Sequence, residues 1–288
     1  MTQPNNILDL HNWAPANLQN GDIFINKKLV SGVVLLSVAK NEIYETEQGS
    51  GEWLMTFEGY KACNKVAGIQ VISPESLLLP DGRVVSNPYV DIDATTNTSH
   101  KFMARCVAIG KNSLGKPYIS SATIIFDAKL AFVEELSKSM EKNKDLGRYY
   151  MDGMLSDKEK STGMYRLFDG DMGIWVDRSL PEVTAIIQKF ISNKNNGDKR
   201  VVTMAQKAAL QRQPCMPPVR VNAINGFASV LVGTHIADFS ESEIAAMLQE
   251  YSETGKVSGA DVVESSEDIS KVDDQEGFSL LSEGGIRF

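Results

Sequence analysis

The sequence predicts an α+β protein: an antiparallel sheet with a central β-hairpin, packed by helices on one face and followed by a disordered acidic C-terminal tail. Three observations carry that expectation. The runs HKFMARCVAI (100–109) and YISSATIIF (118–126) are rich in strand-forming residues, and the link GKNSLGKP between them has two glycines and an asparagine, as a hairpin loop needs. Several other segments place apolar residues three and four apart, the period of a helix face. The charge is also uneven: 29 Lys and Arg against 37 Asp and Glu give −8 overall. Residues 236–288 hold thirteen of those acids and three of the bases, so that stretch carries −10 and residues 1–235 carry +2.

Residues 1–25 are rich in Asn and Pro and read as an extended arm. KLVSGVVLLSV (28–38) reads as a strand from its β-branched content. In 56–67, Thr56 suits an N-cap, Phe57, Tyr60, Cys63, Asn64 and Ala67 fall at helical spacing, and Gly68 suits a C-cap. A short strand follows at 69–72. Turn signals at Pro74, Pro80-Asp81-Gly82 and Asn87-Pro88 then bracket two extended pieces, 76–79 and 89–92. After the hairpin, 128–142 carry an apolar stripe at Leu130, Val133, Leu136 and Met140.

Residues 148–176 give no clean period and read as a long, partly mobile excursion. Pro181 opens a helix reaching residue 192; NKNNGDK has linker composition; and a second helix, 199–213, is stopped by Pro214, Pro217 and Pro218. Ser240 and Glu243 form a capping box ahead of Ile244, Met247, Leu248 and Tyr251. Beyond Thr254 the acidic composition predicts disorder, with an apolar tip, GFSLLSEGGIRF. The domain reading is a nucleic-acid-binding core over 1–235, an amphipathic helix over 236–254 and a disordered tail over 255–288.

Composition narrows the function classes. No apolar run approaches the length of a membrane-spanning helix, and MTQPNNILDLHNW lacks the basic-then-apolar pattern of a secretory signal. Cys63, Cys106 and Cys215 are dispersed and read as reduced core thiols, so the expected compartment is the cytoplasm. No His or Cys pair has metal-ligand spacing, and Asp169-Gly170-Asp171 lacks the further oxygen ligands of a calcium loop. Neither a P-loop nor a G-x-S-x-G elbow occurs. The expectation is therefore a protein that is not an enzyme, uses no cofactor and binds no metal.

Binding chemistry is better supplied. On the 199–213 helix, Arg200, Thr203, Lys207 and Gln211 share one face, with Met204, Ala205, Ala208 and Ala209 tending to the other. Arg200 and Lys207 stand about 10 Å apart along the helix axis, more than one phosphate step of a nucleic-acid strand. Lys199 and Arg212 extend that surface. The hairpin contributes Lys101 and Arg105 from its first strand and Lys111 and Lys116 from its loop. Tyr118, Tyr149, Tyr150, Tyr165 and Trp175 are candidates for stacking on unpaired bases.

Three blocks in this order carry a family resemblance. WLMTFEGYKACNKVAGIQ, KFMARCVAIGKNSLGKPYISSATIIF and KRVVTMAQKAALQRQ resemble the helix-then-strand, the central hairpin and the "M-A-x-K-x-A-x-x-R" helix of phage-type single-strand-annealing recombinases, the RecT and Redβ group. The resemblance covers about half the chain; residues 73–93 and 148–176 have no counterpart in it. It implies ATP-independent annealing of single-stranded DNA in phage or mobile-element recombination, by subunits assembled as a ring or filament. Carried over by position, it makes Arg105, Arg200, Lys207 and Arg212 DNA contacts. An acidic C-terminal region also recurs in that group. Here that region would screen the DNA groove, and Phe278 and Phe288 would dock on a partner such as a host single-strand-binding protein or an exonuclease.

The competing expectation is a structural or assembly protein of a phage or mobile element without nucleic-acid binding, favoured by a body charge of only +2. The two separate on whether the cations follow one groove or scatter. An enzyme would need converging titratable groups, and 169–177 is the one stretch that suggests any.

Overall fold

The computed structural model describes residues 7–8, 29–79, 81–112, 115–235 and 239–269. The first part of the chain forms β1 (Ile7–Leu8), β2 (Leu29–Ser37), β3 (Ile43–Glu45), β4 (Trp53–Met55), α1 (Phe57–Ala67) and β5 (Gln70–Ile72). Next come β6 (Ser76–Leu78), β7 (Val84–Ser86), β8 (Tyr89–Asp93), β9 (Thr98–Lys111), β10 (Pro117–Asp127) and α2 (Ala128–Lys142). Then follow β11 (Gly147–Met151), α3 (Asp157–Thr162), β12 (Gly163–Asp169), β13 (Met172–Asp177) and α4 (Pro181–Gln211). The last elements are β14 (Arg220–Val221), β15 (Ala223–Ile224), β16 (Phe227–His235), α5 (Glu241–Thr254) and β17 (Asp261–Asp268). The class is α+β.

The central sheet has the order β17-β10-β9-β5, and β8 also pairs with β9. β9 and β10 run antiparallel from Lys111 opposite Pro117 to Lys101 opposite Asp127. Successive residues of a strand point to opposite faces, and both faces here are apolar. Ala104, Cys106, Ala108, Ala122, Ile124 and Phe126 meet Val201, Ala205, Ala208, Ala209 and Leu210 of α4. On the other face Val107, Ile109 and Ile119 meet Met247 and Tyr251 of α5. Helices therefore cover both faces of the sheet, not one: α5 has its own apolar stripe and takes the face that α4 leaves open. α1 and α2 pack against α4.

The α4 side is tightly built. Alanines on the helix and on the strands let the backbones approach, and two polar side chains are enclosed with partners. Ser120 Oγ donates to the Ala209 carbonyl at 2.7 Å, and Gln213 Nε2 donates to the Ala108 carbonyl at 2.9 Å and to Ser120 Oγ at 2.7 Å. Tyr60, Phe102 and Phe126 are among the largest fully enclosed side chains, each contributing up to about 3 kcal/mol by burial.

Three further sequence expectations are overturned. NKNNGDK is no linker: α4 runs unbroken for 31 residues. Gly197 is buried against β9, and a Cβ there would lie 2.3 Å from the Phe102 ring. The glycine is present to let the helix pass over an aromatic ring, and tertiary contact outweighs its poor helix propensity. Residues 148–176 are no irregular excursion; β11, β13 and β12 form a three-stranded antiparallel sheet. Gly163 answers to a close approach of the same kind: a Cβ on it would lie 2.1 Å from Nε1 of Trp175. This sheet closes a second core, in which Ile174 and Val176 meet Phe132, Leu136 and Met140 of α2 and Val183 and Ile186 of α4. Finally, the disordered tail expected from residue 255 onward does not begin there, because 261–268 form β17.

Other local expectations agree with the chain's geometry. Thr56 caps α1 by accepting the Gly59 N–H at 3.2 Å, and Gly68 ends it with φ +69°. α5 has the reciprocal Ser240–Glu243 capping box. β2 and β16 pair over nine positions, and α1 packs on them. The N-terminal arm, apart from β1, and the apolar tip with Phe278 and Phe288 lie outside the described residues. Among the described residues, no helix is long and apolar enough to cross a membrane.

Candidate nucleic-acid interface

Of the sequence-predicted cations, Arg105 and Arg212 reach β17, the strand at the β10 edge of the central sheet, and Lys111 and Lys116 lie at the hairpin tip beside which that strand begins. β17 lies parallel to β10, from Asp261 beside Tyr118 to Asp268 beside Ile125. Its sequence, DVVESSED, has four acids and no base. At its start, Asp261 Oδ2 accepts from Asn112 Nδ2 at 2.9 Å, so β17 begins beside the hairpin tip that carries Lys111 and Lys116. Lys116 is exposed; the Lys111 ammonium stands 4.4 Å from the centre of the Phe239 ring.

Midway along, the two faces each supply an arginine. Arg105 projects on the α5 face, where Nε donates to Ser121 Oγ at 2.9 Å and Nη2 donates to Tyr251 Oη at 2.6 Å. Nη2 also donates to Glu264 Oε1 at 2.9 Å, and the Tyr251 hydroxyl donates to that same oxygen. One carboxylate oxygen of β17 thus receives a guanidinium and a phenol. Burial raises the Tyr251 pKa, and its bond to Glu264 raises it further. On the α4 face, Arg212 Nη1 donates to the Ala208 carbonyl at 2.8 Å and Nη2 pairs with Glu267 Oε1. Glu264 and Glu267 reach opposite faces because they are three residues apart in a strand.

Towards the far end of β10, the Arg200 guanidinium carbon stands 4.6 Å from the centre of the Phe126 ring, and Nη1 donates to Asn193 Oδ1 at 3.2 Å. Its neighbour Lys199 is exposed. The Arg200 contact is a cation–π pairing that holds the side chain over an enclosed ring.

Two site expectations need correction. Lys207 is 5% exposed and cannot present its charge to a phosphate from a solvated face. The spacing on the helix predicts one covered side, whereas the sheet, α1 and α2 all pack against α4. Nor do Arg105 and the α4 cations share a groove wall, since they stand on opposite faces of the sheet and meet only at its edge. The aromatic candidates also divide. Tyr118 opens β10 beside Asp261, but Tyr149, Tyr150, Tyr165 and Trp175 belong to the β11–β13 sheet. Tyr149 and Tyr165 are exposed there, Tyr150 is buried, and Trp175 Nε1 donates to the Glu159 carbonyl at 2.8 Å.

The residues that sequence reasoning missed are the acids. Glu264 and Glu267 complete the arginine contacts, and the one signal for them was the Val262-Val263 pair with Ile269 beyond, an apolar anchor 2% exposed. The 169–177 stretch has structural uses: Asp169-Gly170-Asp171 lies at the β12–β13 turn, and Asp177 accepts from the Ser179 N–H at 2.9 Å and its hydroxyl at 2.7 Å. No family model, curated protein or solved structure matches the chain.

Proposed function

We propose that the protein binds single-stranded DNA along the β10 edge of its central sheet and anneals complementary strands without ATP. One observation supports this reading above the others. Arg105 of β9 and Arg212 of α4 reach the same strand, β17, from its two faces, and that strand begins beside the hairpin tip that carries Lys111 and Lys116, so these cations border one line about 25 Å long, the length of an eight-residue strand. Basic side chains along such a line neutralise successive phosphates and release their counterions. The bases of a strand held by its backbone stay free to test a second strand for register. Assembly as a ring or filament would extend the line from copy to copy.

A salt series tests the reading, with a labelled oligothymidylate followed by anisotropy. Affinity should fall steeply with salt, and R105A or R212A should each flatten the logarithmic slope by roughly 0.7 for every phosphate no longer neutralised. Absence of binding at low salt, with complementary strands supplied singly and together, would sink it. A second reading, an assembly protein without a nucleic-acid role, rests on a different observation: Val33, Leu35, Phe227 and Leu231 leave the outer face of the β2–β16 pair apolar and exposed. Sedimentation of a chain that fails the DNA test would take up that reading.

A further inference from the structure

β17 is held unlike its neighbours. Among the described strands it makes the one parallel pairing, while the rest of the central sheet is antiparallel. None of its eight residues is buried. Val262 packs on the apolar patch of the α5 face, but most of the strand's side-chain contacts are polar: Asp261 with Asn112, Glu264 with Arg105 and Tyr251, Glu267 with Arg212, and Ser265 Oγ to the Ser121 carbonyl at 3.3 Å. The apolar anchor, Ile269, lies just beyond the strand.

The donors on these carboxylates are guanidinium, phenol and amide groups, which also bind the oxygens of a phosphodiester. At Glu264 two of them converge on one oxygen, as they would on a phosphate oxygen. Glu267 then stands about 10 Å further along the extended strand.

We propose that β17 is an internal stand-in for a nucleic-acid backbone. Its Glu264 and Glu267 fill two phosphate sites, one built from Arg105, Tyr251 and Ser121 and one from Arg212. The strand leaves β10 when single-stranded DNA takes them. This rests on the DNA-binding reading above and adds its regulation. In the closed chain the apparent affinity is the open-state affinity multiplied by the fraction open, so weak or short polyanions fail to displace the strand. Glutamine in place of each glutamate keeps the size of the side chain and removes the charge that holds β17 closed.

The test compares the full chain with E264Q/E267Q, binding labelled oligothymidylate at low salt, and follows amide exchange of residues 261–268. The double variant is expected to bind about tenfold more tightly. In the unaltered chain, the amides of 261–268 should exchange faster once oligothymidylate is bound. If both proteins bind equally and 261–268 stay as protected as in the free chain, the stand-in proposal is overturned while DNA binding stands. If neither binds at low salt, both readings fall together. Should the double variant not fold, the exchange measurement on the unaltered chain decides alone.

Discussion

The two faces of the central sheet are made by alternate residues of the same strands, yet they are built on different principles. The α4 face is close-packed: Ala104, Cys106, Ala108 and Ala122 meet helix alanines, and the enclosed Ser120 and Gln213 hydrogen-bond within the interface. The α5 face pairs an apolar patch, Val107, Ile109 and Ile119 with Met247, with a partly exposed network of Arg105, Ser121, Tyr251 and Glu264. Close packing fixes one arrangement, because any displacement opens voids. Exposed charge-assisted bonds can be exchanged for equivalent bonds to another anion at little net cost. The close-packed interior of the α4 face therefore carries stability, while the ion pairs at the β17 edge, Arg105–Glu264 on one face and Arg212–Glu267 on the other, can carry exchange of partners.

The sharpest way to break that contrast is at Gly197. Any side chain there meets Phe102, with a Cβ already 2.3 Å from the ring. Gly197→Leu should lose about 3 kcal/mol in chemical denaturation, and a loss within error would show that α4 is not tightly seated. Gln213→Ala comes next. It removes two enclosed hydrogen bonds on the same face and should cost about 2 kcal/mol, measured in the same way.

On the α5 face effects should be smaller and local. Tyr251→Phe deletes the hydroxyl shared by Arg105 and Glu264. It should change global stability by less than about 1 kcal/mol while speeding amide exchange in 261–268. A global loss as large as that of Gly197→Leu would erase the distinction between the faces. The smallest effect concerns pH. Tyr251 titrates above the ordinary tyrosine value, chiefly through burial. Because the folded pKa is raised, its contribution is fully present below the unfolded value near 10 and is lost as pH rises through the folded one. Phenolate absorbance should show late-titrating tyrosines, Tyr118 and Tyr150 among them, with one fewer in Tyr251→Phe. On the α4 face, burial pushes Cys106 up to about 11, so that thiol should resist alkylation at neutral pH in the folded chain.

The same contrast explains what could be read in the sequence. The α+β class and α1 were legible because their signals are local: Thr56 and Gly68 mark the ends of the helix regardless of what packs on it. Gly197 gave a local signal that points the wrong way, since that glycine answers to a ring brought in from elsewhere in the chain, Phe102. Lys207 was misplaced because a helical wheel shows which residues share a side but not how many sides are covered. At the candidate site the cations were visible as residue types, but their partners were not. Glu264 is 159 residues from Arg105 and Glu267 is 55 from Arg212, and composition alone made that segment look like unfolded chain.

β17 also has a consequence for how copies of the protein meet. A strand at the rim of a sheet offers unpaired backbone groups to any passing chain, and proteins commonly blunt such rims with charge. Here the rim holds four carboxylates in eight residues. Two molecules joining through this strand would set acid against acid, at a penalty that neither strand has a cation to relieve. The central sheet is thereby guarded against edge-to-edge stacking on this side.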